Sequence, residues 1–351
     1  MAIEWLAGNR LRGTTAERPN LGLPSGSVGG WVELGRSSGA TQLDVSSLAD
    51  KRYYMVLLSE PSGHRAFSYY LNADTGTNYA RRYSNNGNTD GTDGSQSSLF
   101  GNGLSFGDYN QFMVSYISNL SGKEKLGITH IASGQTTGAA NAPSRWEGAS
   151  KWTNTSNAIN RIQTEGTMTD SDSEMVVLGW DPADTHTTNF WEELASVELG
   201  SASDTLSSGT ITAKKYLWVQ LFIKNSGVAQ PRLQFNSDDT NTYHYRLSTN
   251  GAADTTNQPV TGDGGVVVSS DTTSGHIQFA NVFIINNTSN EKLVIAHAVG
   301  NNSAGAGNAP YRRETVGKWV NTSNQITQID AWNNKTGDFD TGSIIKVWGA
   351  D

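Results

Sequence analysis

The chain has 351 residues, with 25 Lys plus Arg against 33 Asp plus Glu, a formal net charge of −8 and no cysteine. That balance argues against a nucleic-acid partner, which needs a basic surplus to neutralise phosphate, and the missing cysteine excludes disulfides, thiolate metal sites and cysteine nucleophiles. Charged residues make up only 17% while 38 are glycine, and the polar bulk is Ser, Thr, Asn and Gly, the residues of turns and solvent-facing strand positions; this composition predicts an all-β protein large enough for two domains.

In chain order, Met1 to Arg10 lacks the basic and long apolar regions of a signal peptide. Residues 1–30, rich in Gly, Pro and Arg, read as an extended N-terminal arm. No apolar stretch reaches the length of a membrane span, so no membrane partner is expected. Arg52-Tyr-Tyr-Met-Val-Leu-Leu58 reads as a half-buried strand, and the turn cluster from Asn85 to Gly94 follows. Gly101-Asn-Gly-Leu-Ser-Phe-Gly107 is glycine-rich without dinucleotide spacing and reads as a loop. Lys215 to Ile223, Leu293 to His297 and Ile344 to Trp348 alternate as strands do. Phe190-Trp-Glu-Glu-Leu-Ala195 is the best helix candidate.

Self-similarity organises the whole chain. Asn141-Ala-Pro-Ser-Arg-Trp-Glu147 matches Asn308-Ala-Pro-Tyr-Arg-Arg-Glu314, and Glu124 to His130 matches Glu291 to His297, both at an offset of 167. Asn72-Ala-Asp74, Tyr79 and Arg82 match Asn236-Ser-Asp238, Tyr243 and Arg246 at 164; Val32 to Gly35 is paired with Val197 to Gly200 at 165. The matches keep one order, so the chain reads as a tandem duplication. Residues 1–30 form the arm, 31–182 repeat 1, 183–189 a linker and 190–351 repeat 2. Each repeat is expected to be a jelly-roll-like β-sandwich of about eight strands.

Catalytic motifs are missing: there is no His-Glu-x-x-His, no phosphate loop and no Gly-x-Ser-x-Gly. The expectation is therefore a non-enzymatic protein with no catalytic, cofactor or metal residues. His130 and His297 are equivalent but lack a second ligand at metal spacing, and read as structural. Glu147 and Glu314 read as local ion-pair partners of Arg145 and Arg312, because a glycosidase needs two carboxylates at one bond. Asn72, Asp74, Asn78, Asp90 and Asp93, with Asn236, Asp238 and Asp239, are candidate calcium ligands, although such residues more often bond their own turns. Trp152 and Trp319 are read as core residues, with sugar-stacking platforms as the alternative. Tyr79, Arg82, Tyr243 and Arg246 are candidate contacts to another subunit or to a glycan.

The opening Met1 to Gly13, the Lys51 to Leu58 strand and the Asn72 to Arg82 stretch together resemble virion structural proteins of marine tailed viruses, of the jelly-roll capsid, decoration or fibre type. The resemblance is one of overall texture along the chain and carries no site residues across. It implies a virion component made in a host cytoplasm, partnered by further copies of itself or by other virion proteins, with an arm that reaches a neighbour. The alternative is a carbohydrate-binding module for host adhesion.

Overall fold

The computed structural model describes residues 5–6, 10–11, 30–63, 67–100, 109–181, 189–270, 276–301 and 306–351. The linker at 183–188, most of the arm and the loop at 101–107 lie outside them. Strands β1 (Trp5–Leu6) and β2 (Arg10–Leu11) pair with each other. Repeat 1 then supplies β3 (Val32–Ser38), β4 (Gln42–Ser46), β5 (Tyr53–Gly63), β6 (Tyr69–Leu71), β7 (Tyr79–Asn85), β8 (Gly91–Gln96), β9 (Tyr109–Ser118), β10 (Lys125–Ser133), β11 (Ser144–Trp152), β12 (Arg161–Thr167) and β13 (Glu174–Trp180). Repeat 2 supplies β14 (Glu192–Glu198), β15 (Thr205–Thr210), β16 (Tyr216–Lys224), β17 (Pro231–Phe235), β18 (Tyr243–Thr249), β19 (Thr255–Asn257), β20 (Val266–Val267), β21 (Ile277–Ile285), β22 (Lys292–Gly300), β23 (Tyr311–Trp319), β24 (Gln328–Asn333) and β25 (Ile344–Ala350). That is more than the eight strands expected per repeat, because short edge strands carry no alternation a sequence reader would find.

The all-β duplication holds. Repeat 1 builds an eight-stranded sheet in the order β3-β13-β5-β9-β10-β11-β7-β8 and a small sheet β4-β12-β6. Repeat 2 repeats the plan with β14-β25-β16-β21-β22-β23-β18-β19 opposite β15-β24-β17-β20. In each repeat the first five strands alternate between the two sheets, as do the last three, which wraps each sandwich around one core. Tyr54, Val56, Leu58, Trp152 and Ile162 fill the first core, and Leu217, Val219, Leu221, Trp319 and Ile329 the second.

A third cluster lies between the repeats. Met55, Leu57, Phe112, Val114 and Leu178 of repeat 1 pack on Trp191, Tyr216, Phe283, Leu293 and Ile295 of repeat 2. The large sheets are thus stacked face to face, and the layers run small, large, large, small. This explains why Tyr54 to Leu58 is an unbroken buried run and not the half-buried strand expected. Tyr54, Val56 and Leu58 enter the sandwich core while Met55 and Leu57 enter the seam, so this stretch of β5 is covered on both faces.

Two expectations for the start of repeat 2 fail for one reason. Phe190 to Ala195 is not a helix; Glu192–Glu198 is strand β14. Its pairing with β25 skips Leu194, as the pairing of β3 with β13 skips Leu34. A β-bulge adds one residue and turns an alternating pattern into a three-residue apolar spacing that imitates a helix. The matching bulges also correct the alignment: Trp31-Val-Glu-Leu34 corresponds to Trp191-Glu-Glu-Leu194, an offset of 160, and not to the 165 match. Each bulged leucine sits over a glycine, where an added Cβ would fall 2.5 Å from Leu34 at Gly179 and 2.6 Å from Leu194 at Gly349.

Candidate functional site

The residues the duplication advertised are structural. Trp152 and Trp319 are 1% exposed, and Tyr79 and Tyr243 are 1% and 0% exposed, so none of the four is a sugar platform or a subunit contact. The Trp152 indole N–H donates to Asp74 at 2.7 Å and that of Trp319 to Asp238 at 2.8 Å. The Tyr79 hydroxyl accepts from the Leu71 N–H, and the Tyr243 hydroxyl accepts from the Phe235 N–H. Arg82 stays exposed beside Asp90. Arg246 instead reaches across the seam, where its Nε donates to the Pro143 carbonyl at 2.8 Å.

The candidate calcium ligands are engaged in the same way. The Asp74 carboxylate accepts from Trp152, the Gly76 N–H and Asn78, and that of Asp238 accepts from Trp319, Thr240 and Thr242. Burial pushes both carboxyls up, but these donors outweigh it and hold them below the ordinary range. The Asn72 and Asn236 oxygens accept backbone N–H groups of Arg161 and Gln328, with both asparagines at positive φ. Asp93 pairs with Arg81 at 2.7 Å. Among the described residues no group of three His, Asp or Glu side chains is placed to hold a metal ion.

The seam brings together residues the sequence kept apart. His130 and His297 meet edge to face, their ring centroids 4.0 Å apart, and the equivalent Tyr116 and Phe283 meet at 6.4 Å. Equivalent residues therefore touch each other across the seam. Burial, then the neighbouring histidine and Arg145, push His130 well below the usual imidazole range; burial, Arg145 and Arg312 push His297 down to about 4. Arg145 is the polar centre. It pairs with Glu147 at 2.7 Å, Asp254 at 2.7 Å and Glu314 at 3.4 Å, the latter two from repeat 2. The local pairs Glu147–Arg145 and Glu314–Arg312 are present, the second at 3.3 Å. Burial and the charge of Glu147 raise the Glu314 carboxyl, against the pull of Arg312 and Arg145.

Among the described residues, one apolar face is left open. Trp31, Tyr53, Tyr116, Leu126, Ile128 and Trp180 line an open apolar recess of about 340 Å³ on the seam side of the repeat 1 sheet. Leu126 and Ile128 are 57% and 56% exposed. Tyr53 stacks on Trp180 at 5.4 Å, and Trp31 contacts Tyr116 at 6.4 Å. Trp31 and Tyr116 also pack against the seam cluster, so the recess continues the inter-repeat interface. Sequence reading missed this surface. Alternation shows that Leu126 and Ile128 share a face with His130, but not whether anything covers that face.

No family model matches the chain, and no curated protein matches it. Among solved structures, domains LG4-5 of the mouse laminin alpha1 chain align over 92% of this chain and 90% of that one, at 11% identity and a TM-score of 0.17. The Pseudomonas aeruginosa protein OccK9 (OpdG) aligns over 84% and 97%, at 10% identity and a TM-score of 0.13. Likenesses at these scores bear on neither fold nor function.

Proposed function

We propose that this chain is a non-enzymatic structural component of a virion, a capsid, decoration or fibre protein, that self-assembles or docks on other virion proteins. The observation that carries the reading is the exposed apolar face of repeat 1. A soluble sheet surface rarely leaves Leu126 and Ile128 open beside a run of aromatic rings unless another protein covers them. The surroundings agree. The two sandwiches share a buried apolar seam, and the clustered carboxylates of the seam are tied up by Arg145. The viral assignment draws support from the texture of the sequence.

Light scattering on a sizing column, followed by negative-stain microscopy, tests the reading. A discrete oligomer, shell or filament is expected. A second reading, glycan binding for host adhesion, draws on one observation, the open aromatic rings of the recess. A dilute monomer that is saturably titrated by a glycan, and never assembles, would replace the structural reading with that one.

A further inference from the structure

The two repeats use equivalent seam faces in opposite ways. In repeat 2 the face made by Trp191, Tyr216, Phe283, Leu293 and Ile295 is at most 3% exposed, because it grips repeat 1. Its margin is fastened by a buried ion pair, Glu291 with Lys318 at 3.4 Å. Lys318 Nζ donates to the Gly134 and Thr136 carbonyls of repeat 1, and Glu291 Oε1 accepts from the Gly138 N–H. The same positions in repeat 1 are Trp31, Tyr53, Tyr116, Leu126 and Ile128, and the same pair is Glu124 with Lys151 at 3.0 Å. There the pair's side chains are 40% and 44% exposed, and the two aliphatic residues more than half exposed.

The gripped surface shows the converse. Phe112 and Ala132 of repeat 1 are 1% and 0% exposed beneath repeat 2. Their equivalents, Phe279 and Val299, are 42% and 43% exposed. Among the described residues, each chain therefore carries one gripping face and one gripped face left open, and both lie on the sheet faces that form the seam.

We propose that the open face of repeat 1, around Leu126 and Ile128, docks on the open face of repeat 2, around Phe279 and Val299, of a second copy of this chain. The contact repeats between molecules the one that the two repeats make within a molecule, and it deepens the structural reading above. Because the two faces differ, the contact is heterologous, and it propagates into a ring where the rotation closes or a filament where it does not.

The test uses the full chain and light scattering over a concentration series. Wild type is expected to gain mass with concentration, while Ile128→Asp and Phe279→Asp each stay monomeric. An equimolar mixture of the two variants is expected to stop at two chains, since each retains the face the other has lost. Ile128→Thr and Phe279→Thr, which suit exposed strand positions, guard against misfolding and shift the half-assembly concentration at least about tenfold. Lys151→Ala weakens assembly while leaving the monomer's melting temperature unchanged. The proposal falls if the wild type stays monomeric at about 0.1 mM, where even a contact of that dissociation constant is well populated. It also falls if the aspartate variants keep the wild-type mass, or if the mixture stays monomeric. Assembly that survives both variants leaves the structural reading intact. A monomeric wild type that binds a glycan saturably removes both.

Discussion

Repeat 1 and repeat 2 keep many of the same side chains at equivalent positions, and at the seam they place them in opposite surroundings. Inside each sandwich the duplication is faithful, down to an indole held by a loop aspartate and a bulged leucine over a glycine. At the seam the equivalence breaks. Arg145 is 5% exposed at its side chain and binds two carboxylates of the other repeat, whereas its equivalent Arg312 is 59% exposed and pairs only locally among the described contacts. The difference separates what the repeat needs in order to fold from what one copy needs in order to hold the other.

The cores should answer alike. Trp152→Ala and Trp319→Ala each empty a fully buried site and take one donor from a loop carboxylate, and each is expected to cost about 3–5 kcal/mol in urea denaturation. A difference between them larger than about 2 kcal/mol would mean that the two sandwiches are not energetically equivalent. The arginines should answer differently. Arg145→Ala leaves Asp254, 1% exposed at its side chain, without its buried partner, and is expected to cost about 3 kcal/mol or more. Arg312→Ala at the exposed equivalent should cost under about 1 kcal/mol. Equal losses would show that the seam contributes little to stability.

Asp238→Ala removes acceptors for Trp319, Thr240 and Thr242. Its expected cost is about 1–3 kcal/mol, the penalty for stranding a buried donor. Asp74→Ala should fall in the same range, and the match or mismatch of the two refines the comparison drawn from the tryptophans.

Much of this was legible in the sequence, and the failures have physical causes. The duplication showed because turn asparagines, loop aspartates and core aromatics must recur wherever the same clamp recurs. Asn72 with Asn236 and Trp152 with Trp319 are such clamps. Residue type alone did not separate these clamps from ligands, since an aspartate that caps an indole and one that binds a cation look the same. The β14 bulge hid a strand behind a helical spacing. The seam was invisible because it is a face-to-face contact between segments about 167 residues apart; only the unbroken run Tyr54 to Leu58 hinted that a sheet was covered on both sides. The open recess, finally, is a fact about what does not cover Leu126 and Ile128, and periodicity reports which residues share a face, never what lies over it.

The smallest effect expected is a pH dependence, and it arises where the repeats meet. His130 and His297 face each other, flanked by Arg145 and Arg312 and by Glu147 and Glu314 from the adjoining strands. Both imidazoles are held neutral, His297 down to about 4, whereas in the unfolded chain they take up protons near about 6.5. Between those values the unfolded state binds more protons, so stability is full above the unfolded value and is lost as pH falls toward the folded one. Glu314, whose carboxyl is raised, works the other way and gains stability as it protonates. The histidine effect is read between about pH 5 and 6.5, where burial-lowered His244 adds to it and Glu314 opposes it. The melting temperature should fall steadily across that window. His130→Gln with His297→Gln should flatten the slope while Arg145 keeps its carboxylates. A slope unchanged in the double variant would mean that the histidines titrate alike in both states, and that the seam admits water enough to charge them.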